Sequence, residues 1–179
     1  MMAKPKKFPQ QKQTLPGQEE KMRPQPEVIN KNYKGSDKLK GKIALITGGD
    51  SGIGRSIAVH FAREGADVAI IYLNENKDAE ETKQMVEKQN QKCLLIKGDL
   101  KDEKFCKACV KKTIKQFGSL NIVVNNAGLQ FSENKVENIT KAHLQETFET
   151  NIYPFFYIVK EALPHLKKGD TIVNTTSVT

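Results

Sequence analysis

Three glycines, Gly48, Gly52 and Gly54, stand in a short turn between an apolar run and a helical pattern. The apolar run covers residues 42–47, and the helical pattern begins at Arg55. Glycine lets the backbone turn tightly and approach a ligand, while a helix start offers N–H groups and the positive end of its dipole to an anion. In this strand–turn–helix context the spacing G-x-x-x-G-x-G predicts a site for the pyrophosphate of a dinucleotide. An ordinary glycine-containing loop is the alternative.

Strand-like and helix-like segments alternate along the chain after this turn. Short apolar runs predict strands at 67–72, 93–96, 120–124 and 171–175, and helical periodicity predicts helices over 80–89, 105–117 and 141 to about 166. The run at 67–72 is nearly continuous, as expected for a strand buried on both faces. Strict alternation predicts an α/β fold, a doubly wound parallel sheet of the Rossmann type.

Three further motifs follow the later strands and helices. They are Asn125-Asn126-Ala127-Gly128 after the fourth strand, Asn151 in the long helix, and Thr175-Thr176-Ser177 after the fifth strand. Together with Thr47 and the glycine turn, these motifs resemble the short-chain dehydrogenase/reductase family over roughly residues 39–179. The N-terminal extension resembles that of a bacterial subgroup described as stress-related or as aldehyde- or glucose-dehydrogenase-like.

The resemblance implies roles for residues at the carboxyl ends of the strands, where open α/β sheets bind ligands. The implied cofactor-binding residues are Gly48, Ser51, Gly52, Ile53 and Gly54 at the pyrophosphate, Tyr72 at the ribose 2′ position, Asp99 and Leu100 beside the adenine, and Asn125, Ala127 and Gly128 beside the adenosine ribose and the central sheet. Asn151 is expected to hold a water of the proton relay through its main chain, and Ser177 to hydrogen-bond the substrate oxygen. The implied reaction is hydride transfer between NAD or NADP and a small alcohol, aldehyde or ketone.

One element of the family pattern is absent from the printed sequence. Family members carry a Tyr-x-x-x-Lys pair after this serine, in which tyrosine is the general acid/base and lysine lowers its pKa. None of Tyr33, Tyr72, Tyr153 and Tyr157 has lysine four residues later. Because the ordinary pKa of tyrosine is about 10, catalysis at neutral pH needs that lysine. We therefore expect the C-terminal part of the fold to be missing, and residues 1–179 alone to be an inactive fragment of an oxidoreductase. A nucleotide-binding remnant without chemistry is the alternative.

The choice between NAD and NADP stays open. An acidic residue after the second strand would bind the 2′-hydroxyl of NAD, and a nearby arginine would accept the 2′-phosphate of NADP. Here Tyr72 and Leu73 are followed by Asn74 and Glu75, and neither signature is present. Arg55 either contributes to phosphate binding or is simply solvated.

Pro154 lies in the middle of the predicted long helix. Because proline has no N–H, the carbonyl of Thr150 loses its helical partner. We expect the helix to bend or loosen beside Asn151. We also expect the predicted fifth strand to form an edge of the sheet.

The cysteines and apolar runs bear on compartment and metal binding. Cys106 and Cys109 form a C-x-x-C inside an amphipathic helix with no second pair, and we expect ordinary helix cysteines and no metal site. Three cysteines without a signal peptide fit a reducing cytoplasm. The longest apolar run, 68–73, is too short to span a membrane.

The net charge of +8 is concentrated in the N-terminal segment. Residues 1–42 hold 11 Lys and Arg against 4 Asp and Glu, whereas residues 43–179 hold 18 against 17. We therefore predict a flexible or arm-like Pro/Gln/Lys-rich extension over 1–38, an incomplete NAD(P)-binding domain over 39–179, and neither nucleic-acid nor membrane partners. The extension is either solvated or packs on its own or a neighbouring subunit, and we expect the full-length form to be a homo-oligomer, a dimer or tetramer. Its candidate anchors are Phe8, Leu15, Met22, Val28, Ile29 and Tyr33.

Overall fold

A parallel five-stranded sheet forms the centre of the computed structural model, which describes residues 19–131, 133 and 135–177. The strands are β1 (Ile43–Thr47), β2 (Asp67–Tyr72), β3 (Cys93–Lys97), β4 (Ile122–Asn125) and β5 (Thr171–Asn174). Their order in the sheet is β3-β2-β1-β4-β5, and every neighbouring pair is parallel. The strand order reverses between β1 and β4, which places a ligand crevice at their carboxyl ends. The predicted doubly wound α/β class is confirmed.

Helices cover both faces of the sheet. They are α1 (Gly52–Arg63), α2 (Asn76–Glu87), α3 (Glu103–Phe117), α4 (Lys141–Asn151) and α5 (Tyr153–Ala162). Successive side chains of β1 point to opposite faces: Ala44 and Ile46 join the apolar cluster beneath α1 and α2, and Leu45 joins the cluster beneath α3 and α5. Burial on both faces explains why the strands read as nearly continuous apolar runs.

The largest differences between the helix boundaries and the sequence predictions are at α2 and at the predicted long helix. Helix α2 begins at Asn76 rather than at 80, because Asp78 and Ala79 are buried against neighbouring elements and so extend the helix. The predicted long helix is divided at Ile152, whose φ of −116° and ψ of −55° separate α4 from α5. Pro154 lies in the first turn of α5, where its missing N–H costs no helical hydrogen bond. The predicted irregularity beside Asn151 is confirmed.

The β5 side of the described fold is the more exposed one. Val173 of β5 is 40% exposed at the edge of the sheet. The residues of α4 are half-buried or exposed, and Leu144 and Phe148 are among its exposed apolar side chains. Across the described residues, no helix combines the length and the apolar character needed to cross a membrane.

Residues 19–38 pack beside α1. Val28 and Ile29 lie against the cluster beneath α1 and α2, and Ser56 Oγ donates a hydrogen bond to the Val28 carbonyl at 2.9 Å. Tyr33 donates its hydroxyl to the Glu64 carboxylate, which also accepts from two main-chain N–H groups of this segment. Met22 is 39% exposed. The other candidate anchors, Phe8 and Leu15, lie outside the described residues.

Candidate functional site

A cleft of about 850 Å³ opens at the carboxyl ends of the central strands. Its walls come from the glycine turn after β1, the ends of β2 and β3, the segment after β4, and two side chains of α4, Glu146 and Thr150. This volume lies in the range of small-molecule and cofactor sites, about 300–1,000 Å³. The cleft is therefore the candidate functional site.

The cleft brings together most of the residues that the sequence predicted for cofactor binding. The lining residues among them are Gly48, Ser51, Ile53, Tyr72, Asp99, Leu100, Ala127 and Gly128. Gly52, Gly54 and Asn125 do not line the cleft: Gly52 is exposed, Gly54 is buried in the turn, and Asn125 is buried at the end of β4. Asn151 and Ser177 stand apart from the lining surface, Ser177 as an exposed residue after β5.

Two glycines of the turn are required by its backbone geometry. Gly52 has a φ of +54°, in the left-handed region that favours glycine. A Cβ on Gly54 would lie 1.9 Å from the Gly48 carbonyl oxygen, so the helix start and the strand end are packed backbone against backbone. Between them, Ile53 is 64% exposed at the first turn of α1. The turn therefore presents the amino end of α1 to the cleft, as an anion site requires.

Thr47 and Asn126 tie the glycine turn to the segment after β4. Thr47 Oγ1 accepts hydrogen bonds from the main-chain N–H groups of Asn126 at 2.8 Å and Ala127 at 2.9 Å. Asn126 Nδ2 donates to the carbonyls of Thr47 at 3.2 Å and Gly48 at 3.3 Å. Both residues belong to motifs noted in the sequence, but no role was predicted for either side chain. The sequence feature that could have indicated this link is that the two residues lie in the two motifs that flank the crevice.

Asn125 differs from its predicted position beside the ribose. It is fully buried, and its Nδ2 donates to Asn174 Oδ1 at 2.9 Å across the β4–β5 pair. As the last residue of β4, its side chain points between strands rather than into the cleft. Asn125 thus links β4 to β5 through its side chain, and Asn126 lines the cleft.

Asn151 holds the cleft wall through its side chain. Its Oδ1 accepts from the Leu129 main-chain N–H, and its Nδ2 donates to the Leu129 carbonyl, both at 2.7 Å. Leu129 itself lines the cleft. Asn151 thereby fixes the segment after β4 against the end of α4. The helix break at Ile152 leaves the asparagine at the last position of α4, facing that segment.

Most of the charged residues that line the cleft are acidic. Burial raises the pKa of Asp50, which lines the cleft beside the glycine turn. Lys101 Nζ donates to Glu146 Oε1 at 2.9 Å, and this hydrogen bond raises the pKa of Lys101. The pair joins the loop after β3 to α4, on two walls of the cleft.

Of the two roles considered for Arg55 from the sequence, the solvated one is wrong, because the side chain is buried. It is 4% exposed, and it forms ion pairs with Glu19, Asp78 and Glu81 behind the glycine turn. The arginine is thus neither solvated nor part of the lining surface of the cleft.

The cysteine pair is a core feature. Cys106 and Cys109 are free and buried in α3, and burial raises the pKa of each thiol to about 12. The interpretation as ordinary helix cysteines agrees with this environment. The described residues contain no group of three or more His, Cys, Asp or Glu that could hold a metal ion.

Comparison with known proteins gives the same family as the motifs. The family model for short chain dehydrogenase matches residues 42–179. General stress protein 39 of Bacillus subtilis (strain 168) is 53% identical over 175 residues, which cover 97% of this chain and 61% of that protein. Glucose and ribitol dehydrogenase of Daucus carota is 43% identical over 184 residues, covering 99% and 63% respectively. The chain spans less than two thirds of the length of these relatives.

Solved structures share the fold. A short chain dehydrogenase from Burkholderia cenocepacia J2315 in complex with NADP matches with a TM-score of 0.74 and 34% identity, over 78% of this chain and 57% of that one. Carveol dehydrogenase from Mycobacterium avium in complex with NAD matches with a TM-score of 0.74 and 31% identity, over 80% and 57%. From its motifs, its sheet topology and these matches, the chain belongs to the short-chain dehydrogenase family.

Proposed function

We propose that this protein is an NAD(P)-dependent oxidoreductase that transfers hydride between NAD or NADP and an alcohol or carbonyl compound. The observation that carries the proposal is the glycine turn after β1, which opens into α1 and shares one cleft with the ends of β2, β3 and β4. The solved relatives bound to NADP and to NAD support the same class of cofactor.

We propose that the parts of the cofactor lie against different walls of the cleft. The pyrophosphate lies at the amino end of α1, against Ser51 and Ile53, where helix N–H groups and the dipole favour an anion. Asp99 and Leu100 flank the adenine at the end of β3, and Ala127 and Gly128 lie beside the ribose. A Cβ on Gly48 would lie 3.0 Å from the Ala127 Cα, so the two segments already touch at the base of the cleft.

The bound nicotinamide supplies the hydride acceptor or donor, and the protein supplies position and protons. Asn151 holds Leu129 and so keeps the wall after β4 in place. Ser177 follows β5 at the same carboxyl edge of the sheet and donates a hydrogen bond to the substrate oxygen. Tyr72, whose hydroxyl donates to Asn76 Oδ1 at 3.3 Å, lies at the 2′ end of the adenosine ribose.

Nucleotide binding without turnover is the second candidate function. Its support is the cleft itself, which holds the predicted dinucleotide-binding residues, whereas within residues 1–179 none of the four tyrosines is followed by lysine at the fourth position. Without that pair, a tyrosine of ordinary pKa, about 10, carries its proton too tightly to serve as a general base at neutral pH.

The proposal also covers the substrate class, the cellular compartment, the oligomeric state and the domain organisation. A small alcohol, aldehyde or ketone is the substrate, and a reducing cytoplasm suits the three free cysteines. The protein forms a homo-oligomer, supported by exposed apolar side chains on α4 and α5, where Phe156 is 70% exposed. The chain is divided into an extension over 1–38 and a dinucleotide-binding domain over 39–179, and the contacts of Val28 and Ile29 support packing of the described part of the extension, residues 19–38, on that domain.

Fluorescence titration of the full chain with NADH and with NADPH tests the proposal. Saturable binding of at least one of them, displaced by ADP, is the expected result. No saturable binding of either nucleotide would contradict both candidate functions. Turnover of a panel of alcohols and aldehydes then separates them, because an oxidoreductase changes the cofactor absorbance and a binding protein does not.

A further inference from the structure

Glu19 is a buried carboxylate in a segment that is otherwise largely exposed. It opens the short 3₁₀ segment Glu19–Lys21 and is 7% exposed. Its Oε1 forms an ion pair with Arg55 Nη1 at 2.8 Å, and its Oε2 accepts a hydrogen bond from the Gly52 main-chain N–H. The N-terminal segment therefore places a charge directly on the glycine turn.

Arg55 continues this contact to the other side of the turn. Its Nε donates to the Asp50 carbonyl and to Thr82 Oγ1, both at 2.9 Å, and Thr82 Oγ1 donates to the same carbonyl at 2.7 Å. Its Nη2 lies 3.5 Å from Asp78 Oδ1. The Glu19–Arg55 pair thus holds two main-chain groups of the turn, the Asp50 carbonyl and the Gly52 N–H.

These two main-chain groups stand on either side of Ser51. Asp50, Ser51 and Ile53 line the cleft, whereas Glu19 and Arg55 lie behind its lining surface. The turn is therefore held from the back, and its front is presented to the ligand. Ser51 and Ile53 are chain neighbours of the two main-chain groups that these contacts hold.

The unpaired N–H groups and the dipole at the start of α1 explain why a carboxylate lies beside Gly52. The first N–H groups of a helix lack intrahelical partners, and the side chain of Ser51 forms no cap hydrogen bond with the described residues. Glu19 supplies the missing acceptor, and its negative charge suits the positive end of the helix dipole. Burial of the carboxylate is tolerable because Arg55 pairs with it at close range.

We infer that Glu19 is a positioning residue for the cofactor pyrophosphate, acting through Gly52 and Arg55 on the cleft face of the turn. The inference rests on the proposed function and deepens it, since it couples the N-terminal extension to cofactor affinity. A segment that merely fastened the extension to the domain would leave that affinity unchanged.

Glu19→Ala removes the acceptor of the Gly52 N–H and the closest ion-pair partner of Arg55. The dissociation constant of NADH is expected to rise about tenfold, because the turn loses the rear contact that fixes its cleft face. Glu19→Gln keeps the side-chain volume and an acceptor oxygen, so a smaller rise in the dissociation constant is expected. This variant also tests the inference if the alanine protein does not fold. Tyr33→Phe is the matched control, because it removes a contact of the same segment at the far end of α1 and should leave the constant unchanged.

The readout uses NADH titration below the melting temperature, with adenosine as a competitor. Adenosine lacks the pyrophosphate, so its affinity should be the same in all folded variants. Equal NADH affinity in wild type and both Glu19 variants would overturn the inference while leaving the proposed function intact. Tighter NADH binding, or equal losses for NADH and adenosine, would also overturn it. If wild type binds neither nucleotide, the proposed function fails first and the inference fails with it.

Discussion

Replacing Gly54 with alanine is expected to displace the glycine turn and weaken cofactor binding. The added Cβ would lie 1.9 Å from the Gly48 carbonyl oxygen and 2.7 Å from Asn126 Nδ2. Ordinary van der Waals contact begins at 3.4 Å, so the carbonyl must retreat by about 1.5 Å. The same carbonyl accepts a hydrogen bond from Asn126 at 3.3 Å, which that movement breaks.

The expected magnitudes differ for stability and for binding. Overpacking of this kind costs about 1–3 kcal/mol of unfolding free energy. Cofactor affinity should fall about a hundredfold, or about 2.8 kcal/mol, because the displaced turn no longer presents Ile53 and its neighbours in register with the pyrophosphate. The binding loss is therefore expected to lie at the upper end of the range for the loss of stability.

Gly118→Ala is the matched control for Gly54→Ala. Gly118 ends α3 with a φ of +85°, and among the described residues nothing lies within 4 Å of an added Cβ. Alanine there pays for a left-handed backbone, about 1–2 kcal/mol, far from the cleft. Urea unfolding and NADH titration on both variants give the comparison. Wild-type NADH affinity in folded Gly54→Ala protein would refute the assignment of the turn.

Three further predictions concern acid stability, the Thr47 link and the thiols. The hydrogen bond from Tyr33 lowers the pKa of Glu64 from 4.5 to about 2, so the carboxylate stabilises the fold above pH 4.5 and this contribution disappears as the pH falls to about 2. Urea midpoints of Glu64→Gln through that window should vary less with pH than those of wild type, and parallel curves would count against the assignment. Thr47→Val leaves two N–H groups after β4 without their acceptor and should lower the free energy of unfolding, measured in urea, by about 2–4 kcal/mol. Thr47→Ser keeps the hydroxyl and should lower it far less. Equal losses in the two variants would show that the hydroxyl is not responsible. Cys106 and Cys109, buried with pKa values of about 12, should react with a thiol reagent only as fast as the protein unfolds, and rapid labelling of the native protein would disprove their burial.

Features encoded by local pattern were predictable from the sequence. The strand predicted at 67–72 coincides with β2, because a strand buried on both faces is marked by its own continuous apolar residues. The glycine turn was visible for a similar reason, since strand, turn and helix follow one another directly. The break at Ile152 followed from the chemistry of Pro154 alone.

Features that depend on contacts distant in sequence were not predictable. The ion pair of Arg55 joins it to Glu19, 36 positions earlier, in a segment whose composition is that of a solvated extension. The Thr47 hydroxyl meets the Asn126 N–H 79 positions later. No periodicity within either segment reports such a partner. Asn125 was predicted from the motif resemblance to support the ribose and the central sheet, and its pairing with Asn174 of β5 appears only in the sheet register.

A crystal structure of the full chain with bound NADH or NADPH is the most direct test of cofactor binding in this cleft. The expected complex has its pyrophosphate within hydrogen-bonding distance of the main chain at Ser51 and Ile53, with the adenine beside Asp99 and Leu100. A dinucleotide bound away from the glycine turn, or a chain that takes up neither nucleotide at saturating concentration, would contradict the proposed function.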